Sequence, residues 1–266
     1  MALSFIEEIR SELETDRFGQ SLRTFETVGS TNTEAAAWAR DGAPEGSVVV
    51  TEYQSAGRGR HGRTWNAQQG QNLMFSLVLR PTLRADRLGL ITIAASVAVA
   101  EAIDPFVSPL RTTLKWPNDV LLDGRKTCGM LLESSISGKQ AADAVVLGIG
   151  LNVNQSDFPE EIAETATSLR LATGRRIPRS PLFARLLRRL EARYEALETG
   201  RDEDVRSAFH DRLSTLHEQT ELHVQGGNRT ISGTVTGITE TGALRLDTEE
   251  GIETVHAGRV TSRPTD

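Results

Sequence analysis

Gly57-Arg58-Gly59-Arg60-His61-Gly62-Arg63-Thr64-Trp65 places three arginines among three glycines, and no acidic residue lies between Tyr53 and Ala85. The 266-residue chain is otherwise acidic, with a formal net charge of −6. A backbone able to approach a ligand closely and carrying guanidinium groups suits a phosphate or carboxylate chain. Gly57-x-Gly59-x-x-Gly62 also matches the dinucleotide fingerprint, and it follows a predicted strand. However, Arg63 to Gly70 reads as turn rather than as the opening of a helix, so the doubly wound reading fails on context. No Gly-Lys-Ser/Thr closes a P-loop, and the remaining signatures of a kinase are missing.

The flanking segments set the class. Upstream, residues 1 to about 24 read as one short helix with Phe5, Ile6, Ile9 and Leu13 on a common face, and Thr31 to Arg40 as a second helix. Ser47–Tyr53 and Asn72–Leu79 read as strands. Ile91, Ala94, Ala95, Ala98, Val99 and Ala102 recur at helical spacing, with small residues that permit close packing on a sheet. Strands are predicted at Thr112–Trp116, Asp119–Leu122, Thr127–Glu133 and Ala144–Val153, with Asp123-Gly124 as a hairpin turn. A long helix follows from Ser180-Pro181 to near Gly200, its arginines read as a solvated face. Beyond His217 short alternating segments, Glu221–Val224, Thr230–Ile238, Ala243–Asp247 and Glu253–His256, predict a small β-barrel. Together these give an α+β fold with domains at residues 1–217 and 218–266.

Composition removes several function classes. An acidic chain is a poor general binder of nucleic acid or anionic membranes, and the predicted barrel carries eight acids against four arginines. Cys128 is the only cysteine, so no intrachain disulfide forms and a reducing cytoplasm is expected. The N-terminus lacks the pattern of a signal peptide. The apolar run Leu88–Ile103 is shorter than the roughly 20 residues of a membrane span. The five histidines show neither metal spacing nor a Ser/His/Asp arrangement.

Other residues form candidate site elements. Ser30-Thr31-Asn32 stands at a helix start, where Thr31-x-x-Glu34 is a capping box and the same polar groups suit a ligand head. Lys115-Trp116-Pro117-Asn118-Asp119 gathers a lysine, an amide and a carboxylate at a strand end, a pattern that an ordinary turn also explains. Glycines in Gly148-Ile149-Gly150-Leu151-Asn152 mark close approach by a ligand or another backbone. Trp65 fits either the core or a ligand cover.

Taken in order, these motifs, with Lys126 and Gly129-Met130-Leu131-Leu132-Glu133, resemble those of the biotin protein ligase family, from about Phe25 to the C-terminus. The resemblance implies a mixed-sheet α+β catalytic domain, like that of class II aminoacyl-tRNA synthetases, followed by an SH3-like β-barrel. It implies activation of biotin by ATP to biotinyl-5′-adenylate with release of pyrophosphate, then transfer to a lysine of a carboxylase biotin carrier domain. No cofactor is held permanently; biotin and ATP with magnesium are substrates, and the metal ligands are not specified. By the same resemblance Ser30, Thr31, Asn32, Gln54, Gly57, Gly129, Met130 and Leu131 form the biotin pocket. Arg58, Gly59, Arg60, Trp65, Asn118, Lys126 and Asn152 meet ATP or the adenylate, and Arg58, Arg60, Lys126, Lys115 and Asp119 serve catalysis.

Some members of the family carry an N-terminal winged helix and repress transcription. The residues before Phe25 are too few for one, so no operator binding is expected; a homodimer is allowed. A lipoate or octanoyl ligase on the same scaffold is the competing enzyme. A non-catalytic nucleotide-binding adaptor is the competing class, which the presence of both Arg58 and Lys126 disfavours.

Overall fold

The computed structural model describes residues 5–135, 144–224 and 229–262. The N-terminal segment departs from the expected single helix. After α1 (Phe5–Glu12) the chain turns and enters a strand, β1 (Leu22–Val28), which pairs in parallel with β2 (Val48–Gln54) across α2 (Thr31–Arg40). As an edge strand β1 is only partly buried, and its mixture of charged and apolar residues obscures the alternation that identifies half-buried strands. Ile9 is fully buried and Leu13 partly so, whereas the side chains of Phe5 and Ile6 lie outside the described residues.

The remaining strands of the main sheet are β3 (Leu73–Leu79), β4 (Thr112–Lys115), β5 (Asp119–Leu122), β6 (Arg125–Ser135) and β7 (Ala144–Leu151). Their spatial order is β1-β2-β3-β7-β6-β5-β4, with every pair except the first antiparallel, so the sheet is mixed. Between β3 and β4 runs α3 (Gly89–Val107), long and apolar enough to pass for a membrane span. It is instead a core helix, buried along most of its length from Leu90 to Ile103. Its alanines let it sit close to the sheet, and α6 (Arg179–Glu198) packs along it. The short helices α4 (Glu160–Ala163) and α5 (Leu169–Thr173) precede α6 in the chain and were not expected, nor was α7 (Asp202–His210) after it.

The arginines of α6 are not merely solvated. Arg179 donates to both carboxylate oxygens of Glu52 on β2, at 2.5 and 3.0 Å, and Arg193 pairs with Glu101 of α3. These contacts join the helix to the layers on either side. The opposite face of the sheet is covered by α2 through Ala35, Ala39, Val49, Val78 and Val146.

The C-terminal region holds five strands: β8 (Gln219–Val224), β9 (Thr230–Ile238), β10 (Leu244–Thr248), β11 (Gly251–Val255) and β12 (Gly258–Ser262). They form an antiparallel sheet in the order β11-β10-β9-β8-β12. The fifth strand had no turn signal long enough to separate it from the fourth. The expected Gly226-Gly227-Asn228 turn lies outside the described residues. Apolar packing continues from the main sheet into this one, and Trp116 spans the junction by donating its indole N–H to the Gly242 carbonyl at 3.0 Å.

Candidate active site

The site begins with a hairpin. Asp123 and Gly124 adopt left-handed conformations, φ 50° and 74°, and return β5 into β6 through the expected two-residue turn. The register then shifts. Val120 faces Cys128 but Leu121 faces Lys126, so Thr127 is an extra residue on β6. Without that bulge Lys126 and Gly129, three positions apart, would point to opposite faces of the sheet; with it both reach the same one. Val120 and Cys128 are fully buried in the core, while Asp119 and Lys126 meet on the other side, Nζ to Oδ1 at 2.6 Å.

Above this face lies a cavity of about 530 Å³. Its lining includes Arg58 and Arg60 from the arginine-glycine loop, Lys115, Asn118 and Asp119 from the β4–β5 turn, and Lys126 and Asn152 from the sheet. Ser30, Thr31, Asn32, Gln54, Gly59, Trp65, Gly129, Met130 and Leu131 line it as well. The separate candidate elements therefore converge. Gly57 does not line the cavity: its carbonyl accepts from the Trp65 N–H at 3.0 Å, and a Cβ there would meet the Trp65 carbonyl at 2.9 Å. It shapes the loop from behind.

Three glycines make the floor. Gly129 and Gly150 are partners across β6 and β7, and the Trp65 indole rests over both. A Cβ on Gly150 would come within 2.5 Å of the ring, and one on Gly148 within 2.1 Å of Asn32 Oδ1. Side chains occupy the space that the missing Cβ atoms release. Lys126 Nζ stands 5.8 Å from the centroid of Trp65, within cation–π range.

At one end of the cavity α2 delivers buried polar groups. The expected capping box is not made: Ser30 is the N-cap without a side-chain bond, and Thr31 Oγ1 donates instead to Gln54 Oε1 at 3.1 Å. Gln54 Oε1 also accepts from the Thr31 N–H at 2.8 Å, so the glutamine takes over the capping role from the neighbouring strand. Ser76, in the otherwise apolar β3, lies within 2.7 Å of Thr31 Oγ1 and 2.6 Å of Asn32 Oδ1. Its hydroxyl, buried in a run of Leu, Met, Phe and Val, is the one local mark in the sequence of this polar contact.

Cations outnumber carboxylates in the lining of the cavity. Arg58, Arg60, Arg63, Lys115 and Lys126 line it against only two carboxylates, Asp119 and Glu164. Arg60 Nη1 donates to Asn118 Oδ1 at 3.2 Å, and Asn118 Nδ2 donates to the Met130 carbonyl at 2.7 Å, which fastens the loop to the sheet. Burial lowers the pKa of Arg60, opposed by the charge of Asp119. The guanidinium remains protonated at neutral pH.

The far end holds an unmet acceptor. Asn152 is buried and its Nδ2 donates to the Thr167 carbonyl at 3.1 Å, but its Oδ1 has no partner among the described residues. Phe158, Ile162, Thr165 and Ala166 line this end, and no sequence motif indicated them. They arrive because Lys126 N–H donates to the Thr165 carbonyl and Thr167 N–H donates to that of Lys126. Gly258 and Val260 add a contribution from the C-terminal sheet. Among the described residues no three His, Cys, Asp or Glu side chains gather as a metal site.

Comparison with known proteins agrees with this arrangement. Residues 24–152 match the Biotin/lipoate A/B protein ligase family and residues 221–261 the biotin protein ligase C-terminal domain. The bifunctional ligase/repressor BirA of Bacillus spizizenii is 36% identical over 95% of this chain and 77% of its own length. The biotin--[acetyl-CoA-carboxylase] ligase of Mycobacterium tuberculosis is 37% identical over 88% of this chain and 85% of its own. Among solved structures, biotin protein ligase from Aquifex aeolicus in complex with biotin and ATP superposes with a TM-score of 0.81 at 30% identity, covering 92% of this chain and 100% of that one. With its mixed sheet, glycine floor and arginine-glycine loop, the chain belongs to the biotin protein ligase family.

Proposed function

We propose that this protein joins biotin to ATP as biotinyl-5′-adenylate, releasing pyrophosphate, and passes the biotinyl group to a lysine on a carboxylase carrier domain, the acyl–phosphate bond breaking to release AMP. The observation that carries the reading is the cavity itself, lined by neutral hydrogen-bonding groups beside α2, by five cations and, past Lys126, by an acceptor unmet among the described residues. Such a sequence of environments suits a neutral ring head, a phosphoryl group and a purine. Ser30, Thr31, Asn32 and Gln54 take the ring head, with Gly129, Met130 and Leu131 as its wall. Asn152 Oδ1 accepts from the exocyclic amine of adenine, whereas a guanine would set a carbonyl against it.

The biotin carboxylate is ionised at neutral pH and needs no nucleophile from the protein. Its attack on the α-phosphorus depends on alignment and on neutralising charge that develops on phosphoryl oxygens. Arg58, Arg60, Lys115 and Lys126 supply that charge, with Asn118 holding Arg60. Gly59 lets the loop approach the phosphates, and Trp65 lies along the ligand. Magnesium enters as the counterion of the triphosphate. In the second step the acceptor amine, with an ordinary pKa of about 10.4, must shed a proton. Asp119 orients it, and because Asp119 already pairs with Lys126 the two half-reactions share a residue.

The division at residues 217/218, the SH3-like form of the C-terminal sheet and the kinship of the catalytic sheet with class II synthetases belong to the same reading. Mass spectrometry of a purified biotin carrier domain incubated with enzyme, biotin, ATP and magnesium tests it. One biotinyl addition on the acceptor lysine supports the proposal, and an unmodified carrier alongside formed adenylate would refute the transfer step.

A further inference from the structure

Glu133 closes the motif Gly129-Met130-Leu131-Leu132-Glu133, yet it is not among the residues lining the cavity. On β6 it stands two positions beyond Leu131 and four beyond Gly129, on the cavity side of the sheet. There a single carboxylate oxygen, Oε2, receives two donors from different parts of the chain. Asn32 Nδ2 donates at 2.7 Å and Arg58 Nη2 at 3.1 Å. Asn32 comes from α2 and Arg58 from the arginine-glycine loop, so one oxygen joins the polar groups beside α2 to the cationic loop. Among the described residues the side-chain bonds of Arg58, to Glu133 and to Thr33, both use Nη2, leaving Nε and Nη1 to donate elsewhere.

We propose that Glu133 is a positioning residue that holds Arg58 by one end of its guanidinium, so that the other end meets the phosphoryl group of the adenylate. The role rests on the function proposed above. A loop with three glycines and partly exposed arginines has little burial to order it. A carboxylate anchored by Asn32 gives Arg58 a fixed direction before the ligand arrives and leaves it in place afterwards.

The test follows release of biotinyl-adenylate formed on wild-type, E133A, E133Q, R58A and R58A/E133A enzymes, with trypsin cleavage of the ligand-free loop measured in parallel. E133A should release the adenylate about fivefold faster, the scale of one partly exposed charged contact. E133Q, which keeps an acceptor, should recover part of that loss, and the double variant should release no faster than R58A. Trypsin should cut ligand-free E133A sooner within the loop. Wild-type retention by E133A, multiplying effects in the double variant, or unchanged cleavage would each overturn the role. Should E133A fail to fold, E133Q decides: release faster than wild type supports the role, and release at the wild-type rate opposes it. A wild-type enzyme that forms no adenylate would refute the functional reading, whereas the trypsin comparison reads the tether without any substrate.

Discussion

Gly129 and Gly150 face one another across β6 and β7, and the Trp65 indole lies on the pair. The close packing depends on the absence of two Cβ atoms. An alanine at position 150 would push into Trp65 at 2.5 Å, and the backbone beneath is fixed by strand pairing on both sides. The indole must therefore move. Overpacking of this kind costs roughly 1–3 kcal/mol. Gly150→Ala is expected to shift tryptophan fluorescence and raise the KM for ATP about tenfold or more, with the fold retained by circular dichroism. An unchanged KM would mean that Trp65 does not border the nucleotide.

Lys126 owes its direction to the extra residue at Thr127. Removing its ammonium should slow adenylate formation far more than it weakens biotin binding, on the order of a hundredfold in rate. Stopped-flow formation of adenylate in Lys126→Ala, set against the biotin Kd, makes the comparison. Equal losses in both would argue against a phosphate role.

Asp119 pairs with Lys126, so Asp119→Asn should reduce both half-reactions rather than transfer alone. Transfer from preformed adenylate to a carrier domain isolates the second one. A wild-type transfer rate would remove Asp119 from the handling of the acceptor amine.

The Asn152 amide makes one bond to Thr167 and leaves Oδ1 unmet among the described residues. In Asn152→Ala the KM for ATP should rise with a smaller change in kcat, and discrimination against GTP should fall by about tenfold or more, as expected when a buried polar group no longer tests its partner. Retained discrimination would place the base elsewhere.

Asp202 joins α7 to the turn before α3 through Arg87 at 2.8 Å and also meets Arg206. Burial opposes its charge, but the Arg87 hydrogen bond and the nearby positive charges outweigh burial and lower its pKa. A depressed carboxylate pKa stabilises the fold above the unfolded value of about 3.9 and ceases to do so as pH falls through the folded value. Asp202→Asn should cost about 1 kcal/mol at pH 7. The difference in denaturant midpoint between Asp202→Asn and wild type should begin to shrink as pH falls below about 4 and vanish only below the lowered folded value; a difference that does not shrink on acidification would show that the carboxylate's charge is not the cause.

The parts of the molecule that could be read from sequence were those whose signal is local. The hairpin at Asp123-Gly124, the buried alanine face of α3 and the close-approach glycines of β7 each follow from a few neighbouring residues. The strand β1 did not, because an edge strand carries polar residues, and β12 did not, because only two residues separate it from β11. In the site, Arg58 and Asn152 lie in glycine-marked motifs, whereas Lys126 stood out only through the family resemblance. Ser76, the Phe158–Ala166 wall and the link from Glu133 to Asn32 and Arg58 depend on pairing between distant segments, which no local spacing records.

Exchange of labelled pyrophosphate into ATP tests most directly whether these cations serve one anionic intermediate. The exchange should require biotin, should not be supported by lipoate or octanoate, and should fall sharply in both Arg58→Ala and Lys126→Ala. Exchange without biotin, or driven equally well by lipoate, would contradict the account.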